Sequence, residues 1–162
     1  MIVVDTSAFV SLAVGGALKE TLAAFDVVTT LSVFDELEAT AEYDDRHGNG
    51  AAAVLAAEDA ITVVDHDGAE FETSRIDAGE ASCAAAVQEL DAAFLITDDY
   101  RALPELERLL DTDVALSPIV LRALVTRGAL SEAEAEGAFD AIADGRDWLG
   151  GPIHRYARRL FD

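Results

Sequence analysis

The chain predicts an α/β protein: a three-layer α/β/α fold around a central parallel sheet of about five strands, with a helical C-terminal extension. Three observations lead there. Short apolar runs recur at 1–5, 26–30, 61–65, 93–97 and 113–116, segments with helical periodicity separate them, and beyond residue 116 the alternation stops. Strands alternating with helices imply parallel pairing, right-handed crossovers and helices on both faces.

MIVVD forms the first strand and ends on a carboxylate, and DVVTT (26–30) is the second. Ser32 is expected to begin a helix carrying Val33, Phe34 and Leu37. The GNG at 48–50 is expected to interrupt it before alanine-rich 51–59 resumes, the two helices forming one connection. ITVVD (61–65) is the third strand. In DAGEASC (77–83) Asp77 and Glu80 have the spacing of a capping box at a helix start. AFLIT (93–97), followed by Asp98 and Asp99, and DVAL (113–116) complete the sheet. SPIVLRALVTRGAL, SEAEAEGAFDAIADGRDW and PIHRYARRLF read as three helices, punctuated by Gly128 and by Gly150-Gly151-Pro152. At 162 residues the chain fits one domain, a βα core over 1–116 and C-terminal helices over 117–162.

Composition removes several classes of function. Cys83 is the single cysteine, so no disulfide framework is possible, and no cysteine and histidine cluster has zinc spacing. A reducing cytoplasm fits. No apolar run reaches the roughly 18 residues of a membrane span, and the N-terminus has no secretory pattern. Eighteen Asp and fourteen Glu face ten Arg and one lysine, Lys19, for a net charge of −21. These acids are interspersed with apolar residues rather than gathered in a tail. Such self-repulsion is tolerated where concentrated salt screens it, so a halophilic archaeal origin is expected. On that reading acidity says little about the partner and does not exclude nucleic acid.

Position separates a few acids from the rest. Asp5 and Asp98 follow strands, and Glu36 and Glu80 fall near helix starts. Each has an ordinary explanation taken singly. Asp5 and Asp98 can cap the helices that follow, Glu80 can complete the box with Asp77, and Glu36 can favour a helix dipole from the first turn. Strand ends of a parallel sheet converge on one crevice, however, and carboxylates gathered there repel one another by about 1 kcal/mol or more per close pair. With one lysine in the chain and no arginine beside these motifs, a divalent cation is the expected counter-charge. Oxygen-only sites suit Mg2+ or Mn2+.

MIVVDTSAFVSL, SVFDELEAT, DAGEASCAAAVQEL and LITDDYRAL together resemble the successive motifs of PIN-domain nucleases, the fold of the VapC-type toxins. The tail from SPIVLRALV onward resembles the helical end of a prokaryotic PIN subgroup close to VapC. The resemblance implies that Asp5, Glu36, Glu80 and Asp98 form the catalytic site, with Asp5, Glu80, Asp98 and Asp99 holding the metal. Thr6, Ser7 and Thr97 would support them, and Glu80 would fill a place that many relatives give to aspartate. It implies a Mg2+- or Mn2+-dependent ribonuclease acting on an RNA substrate, a homodimer, and a small antitoxin partner. The alternative is a PIN-like module that binds RNA or a protein without cutting.

Arg101, just past Asp99, is a candidate for substrate phosphate, as are Arg155 and Arg158 in the basic C-terminal stretch, whose plainer role is to complement a helix dipole. Trp148 and Tyr156 are expected to pack, Cys83 to be buried and inert, and His47 and His66 to lie in loops without a metal role. A haloacid-dehalogenase-like phosphatase would need an aspartate where Ser7 stands and a late lysine. A response-regulator receiver lacks the same lysine.

Overall fold

The computed structural model describes all 162 residues. Five short strands, β1 (Ile2–Val4), β2 (Val27–Thr30), β3 (Thr62–Val64), β4 (Phe94–Ile96) and β5 (Asp113–Ala115), form one sheet in the order β3-β2-β1-β4-β5. Every pairing is parallel, with Val3 opposite both Val28 and Leu95 and Val4 opposite Ile96. All five fall within the predicted runs. Their valine and isoleucine content suits strands covered on both faces.

Nine helices flank the sheet: α1 (Thr6–Val14), α2 (Leu18–Ala24), α3 (Leu31–Ala41), α4 (Arg46–Ala56), α5 (Ala78–Leu90), α6 (Leu103–Leu109), α7 (Ser117–Thr126), α8 (Glu132–Gly145) and α9 (Pro152–Arg158). The result is the expected three-layer α/β/α fold. Helix α5 lies across β2, β1 and β4, while α1 packs against α2, α4, α7 and α8. A single apolar cluster runs from Ile2 to Ala157, with Phe9, Phe139 and Leu121 among its largest fully buried members. No helix is long and apolar enough to cross a membrane.

Two expectations near α3 and α4 need correction. Helix α3 begins at Leu31, one residue before Ser32, because the Thr30 hydroxyl caps it by accepting from the Val33 amide at 3.2 Å. The GNG does not interrupt a helix. The break lies over 42–45, and Asp45 caps α4 by accepting from the Gly48 amide at 2.7 Å. A Cβ on Gly48 would stand 1.8 Å from the Tyr43 carbonyl oxygen, so glycine here permits a tight entry into the helix.

The C-terminal helices lie where the sequence placed them. Trp148 is buried as packing, Cys83 is fully buried on α5, and burial pushes its thiol well above the ordinary range. His66 lies beyond β3, its Nδ1 3.0 Å from Glu89. His47, expected in a loop, stands in the first turn of α4.

Candidate active site

The strand order places a switch point at the centre of the sheet. The chain runs outward from β1 through β2 to β3, then returns to β4 on the other side of β1. Loops leaving adjacent strands in opposite directions open a crevice at their carboxyl ends, where ligands of such sheets bind. Asp5 follows β1 and Asp98 follows β4 by one residue more. The Asp5 amide donates to the Ile96 carbonyl at 3.0 Å, so the ladder carries Asp5 to the rim.

A lattice of hydroxyls fixes these two acids. Asp5 caps α1, its Oδ1 accepting from the Ala8 amide at 2.9 Å and the Ser7 hydroxyl at 2.8 Å. Its Oδ2 accepts from the Thr97 hydroxyl at 2.5 Å. Ser7 Oγ also accepts from the Asp98 amide at 2.9 Å, tying the two strand ends together. Asp98 does not cap α6 as expected. Its Oδ1 accepts from the Ser117 amide and its Oδ2 from the Ser117 hydroxyl, both at 2.7 Å, so it closes the start of α7 nineteen residues on. Asp99 supports the turn into α6 instead, its Oδ1 accepting from the Arg101 and Ala102 amides.

Glu36 and Glu80 reach the same cleft, of about 420 Å³, from α3 and α5. Glu36 is the sixth residue of α3, past the first turn, so the dipole does not explain it. Its Oε2 accepts from the Thr6 hydroxyl at 2.5 Å. A Cβ on Gly79 would stand 2.0 Å from Glu36 Oε1, so the glycine of the GEA motif leaves room for this carboxylate. Glu80 does complete the expected capping box: its amide donates to Asp77 Oδ1 at 2.9 Å and its Oε2 accepts from the Asp77 amide at 3.1 Å. Capping and cleft lining coexist. Asp77, read from sequence as a cap alone, also lines the cleft.

Burial dominates the electrostatics. It raises the Asp5 carboxyl from 3.8 to about 7 against the opposing hydrogen bonds from Thr97, Ala8 and Ser7, with the Asp98 charge adding to the rise. Asp98 is raised by burial too, and the buried Ser11 hydroxyl faces it without completing a hydrogen bond. Glu36 is raised by burial and by Asp77. Glu80 rises to about 9, through burial first and then through the neighbouring Asp99 and Asp77 carboxyls. The Asp98 charge acts on Asp5, and the Asp77 charge acts on both Glu36 and Glu80.

Sequence spacing missed the cation of this site. Arg146, at the C-terminal end of α8, lines the cleft, and the Asp98 and Asp5 charges act on it. The expectation that no arginine accompanies the motifs is corrected: Arg146, distant in sequence, stands near them in space. His47 lines the cleft as well, its Nε2 3.0 Å from the Gly145 carbonyl oxygen. The signal available was weak, a lone arginine at a helix end. The arginines singled out by sequence do not line the cleft. Arg158 is held by Glu136, Asp140 and Asp162, and Arg155 donates to the Gly150 carbonyl at 2.7 Å. Arg101 is exposed, its neighbour Tyr100 packing on Tyr156 with ring centroids 5.9 Å apart.

Hard oxygen donors and mutually repelling buried carboxylates suit Mg2+ or Mn2+. No three such side chains stand close enough to cage an ion. The arrangement therefore fits a largely hydrated ion resting on one or two carboxylates, as Mg2+ commonly binds.

Parallel α/β/α layering with an acid-lined cleft at the switch point defines a class of domain suited to cation-assisted chemistry on an anionic substrate. A family model described as PIN domain matches residues 1–160, and the chain belongs to the PIN-domain family. This is a nuclease-type fold whose members are generally nucleases and typically use divalent metals. No curated protein and no solved structure gives a significant match.

Proposed function

We propose that the chain is a Mg2+- or Mn2+-dependent endoribonuclease whose working residues are Asp5, Glu36, Glu80 and Asp98. The observation that carries this reading is the burial of Asp5 and Asp98 at the switch point, tied together through Ser7 and Thr97. Buried carboxylates held in fixed orientation at the cost of raised proton affinity are a mark of functional sites.

Asp5 and Asp98 would hold the cation, with Glu80 and Asp99 beside them. When bound, it supplies Lewis acidity, making water more acidic and offsetting charge that develops on the phosphate. Thr97 and Ser7 orient Asp5, and Ser117 orients Asp98. Thr6 keeps Glu36 aimed into the cleft, where it can accept a proton from an attacking water. Glu80 retains its proton at neutral pH in the metal-free protein.

The finer identity is part of the same proposal: a VapC-like toxin, acting as a homodimer and neutralised by a small antitoxin, in a salt-rich cytoplasm. The net charge of −21 supports the last point and the family membership supports the first. Purified protein in molar KCl with Mn2+ should cleave single-stranded RNA, and Asp5→Asn or Asp98→Asn should abolish cleavage. Equal background from wild type and both variants across a broad RNA panel would instead establish a binding module. A short neighbouring gene for a DNA-binding protein would separate a toxin from a stand-alone RNA-processing enzyme.

A further inference from the structure

We infer that Arg146 is the substrate-phosphate ligand of this cleft, its guanidinium gripping a backbone phosphate of the nucleic acid beside the carboxylates. This rests on the nuclease reading for its substrate but on separate observations for its residue.

The first observation is an unsatisfied donor. Arg146 Nε is buried and has no hydrogen-bond partner. An unpaired buried N–H carries an uncompensated desolvation cost, which an incoming oxygen would recover. The second is the missing ion pair. Arg46, Arg108, Arg122 and Arg158 each form one, yet no carboxylate reaches ion-pairing distance of Arg146. If its task were to neutralise Asp5 or Asp98, direct contact would be expected in so acidic a cleft. The guanidinium instead stands off, leaving its fork free for an anion with matching planar geometry.

The third observation is rigid support. The Arg146 amide donates to the Ile142 carbonyl at 2.8 Å, and the neighbouring Gly145 carbonyl meets His47 Nε2. A Cβ on Gly145 would stand 2.5 Å from Val14 Cγ1, so this end of α8 is pressed onto α1, the helix that Asp5 caps. The arginine and the catalytic aspartate therefore share a packed frame. Finally, Arg146 is the only lysine or arginine lining a cleft that holds six carboxylates and must admit a polyanion.

The test uses the full chain carrying Asp5→Asn, which blocks cleavage, and a fluorescein-labelled single-stranded RNA decamer. Anisotropy titrations over a series of KCl concentrations yield Kd and its salt dependence. Adding Arg146→Gln should weaken binding about tenfold and reduce the slope of log K against log salt by about 0.7, the value of one phosphate contact on a single strand. Arg146→Lys should keep the slope and recover only part of the affinity, and it also serves if the glutamine variant does not fold. Unchanged Kd and slope in Arg146→Gln, or parental affinity in Arg146→Lys, would overturn the assignment. Wild-type protein that fails to cleave in Mn2+ while its RNA binding keeps the Arg146-dependent slope would sink the nuclease reading and sustain Arg146. Cleavage with kcat/KM unaffected by Arg146→Gln would do the reverse.

Discussion

Replacing Asp5 by Asn should change how the stability of the metal-free protein depends on pH. The Asp5 carboxyl is almost wholly buried, and its rise from 3.8 to about 7 corresponds to about 4 kcal/mol of folding free energy. The sign follows from the direction of the shift. Stability contributed by the protonated form is fully present below about pH 4 and is lost as pH climbs through about 7. Asn cannot ionise, and its amide keeps the oxygen that receives Ala8 and Ser7 while Nδ2 can donate to Thr97 once that hydroxyl turns. Chemical denaturation in EDTA and molar KCl at pH 4.5, 6 and 8 measures both proteins side by side. Asp5→Asn should gain on wild type by several kcal/mol between the lowest and highest pH, and saturating Mn2+ should erase that gain by stabilising the ionised wild type. Asp98, Glu36 and Glu80 titrate in both proteins, so the difference reports Asp5 together with its interaction with Asp98. A difference that stays within about 1 kcal/mol across the range would refute the argument that desolvation dominates this carboxyl.

Gly79→Ala should cut any cleavage activity on the order of a hundredfold, since its methyl would displace Glu36 by an ångström or more. Its melting midpoint should move little, because the displaced atoms end a flexible side chain; near-normal cleavage kinetics would contradict this. Ser117→Ala removes the hydroxyl that donates to Asp98 Oδ2 and should cost about 1–3 kcal/mol by urea denaturation at pH 8. The melting midpoint should rise between about 0.1 and 2 M KCl as the −21 charge is screened, and a flat or falling curve would remove the salt-rich reading. Phe139→Ala, in the core under α8, should destabilise by about 3–5 kcal/mol and leave residual activity per folded molecule intact.

Local information carried the fold a long way. All five strands were readable because each falls in a short, mostly apolar run, a signal that needs no partner to be seen, even where the edge strands β3 and β5 include Thr62 and Asp113 and are only partly buried. The Asp77–Glu80 box and the three C-terminal helices were readable for the same reason, their signals lying within four residues of one another. GNG was misread because glycine serves both to end helices and to let them start under a close backbone, and only the neighbouring Tyr43 carbonyl distinguishes the two.

By itself the sequence determined an alternating α/β order and which carboxylates sit at the ends of its strands. Tertiary structure decided what those carboxylates face. The partnership of Asp98 with Ser117, the room that Gly79 leaves for Glu36, and the approach of Arg146 to Asp5 join residues 19 to 141 positions apart. Burial creates the raised proton affinities, and burial is a property of the packed molecule. Strand identity depends on neighbours along the chain, whereas charge, solvation and room for a substrate depend on neighbours across it.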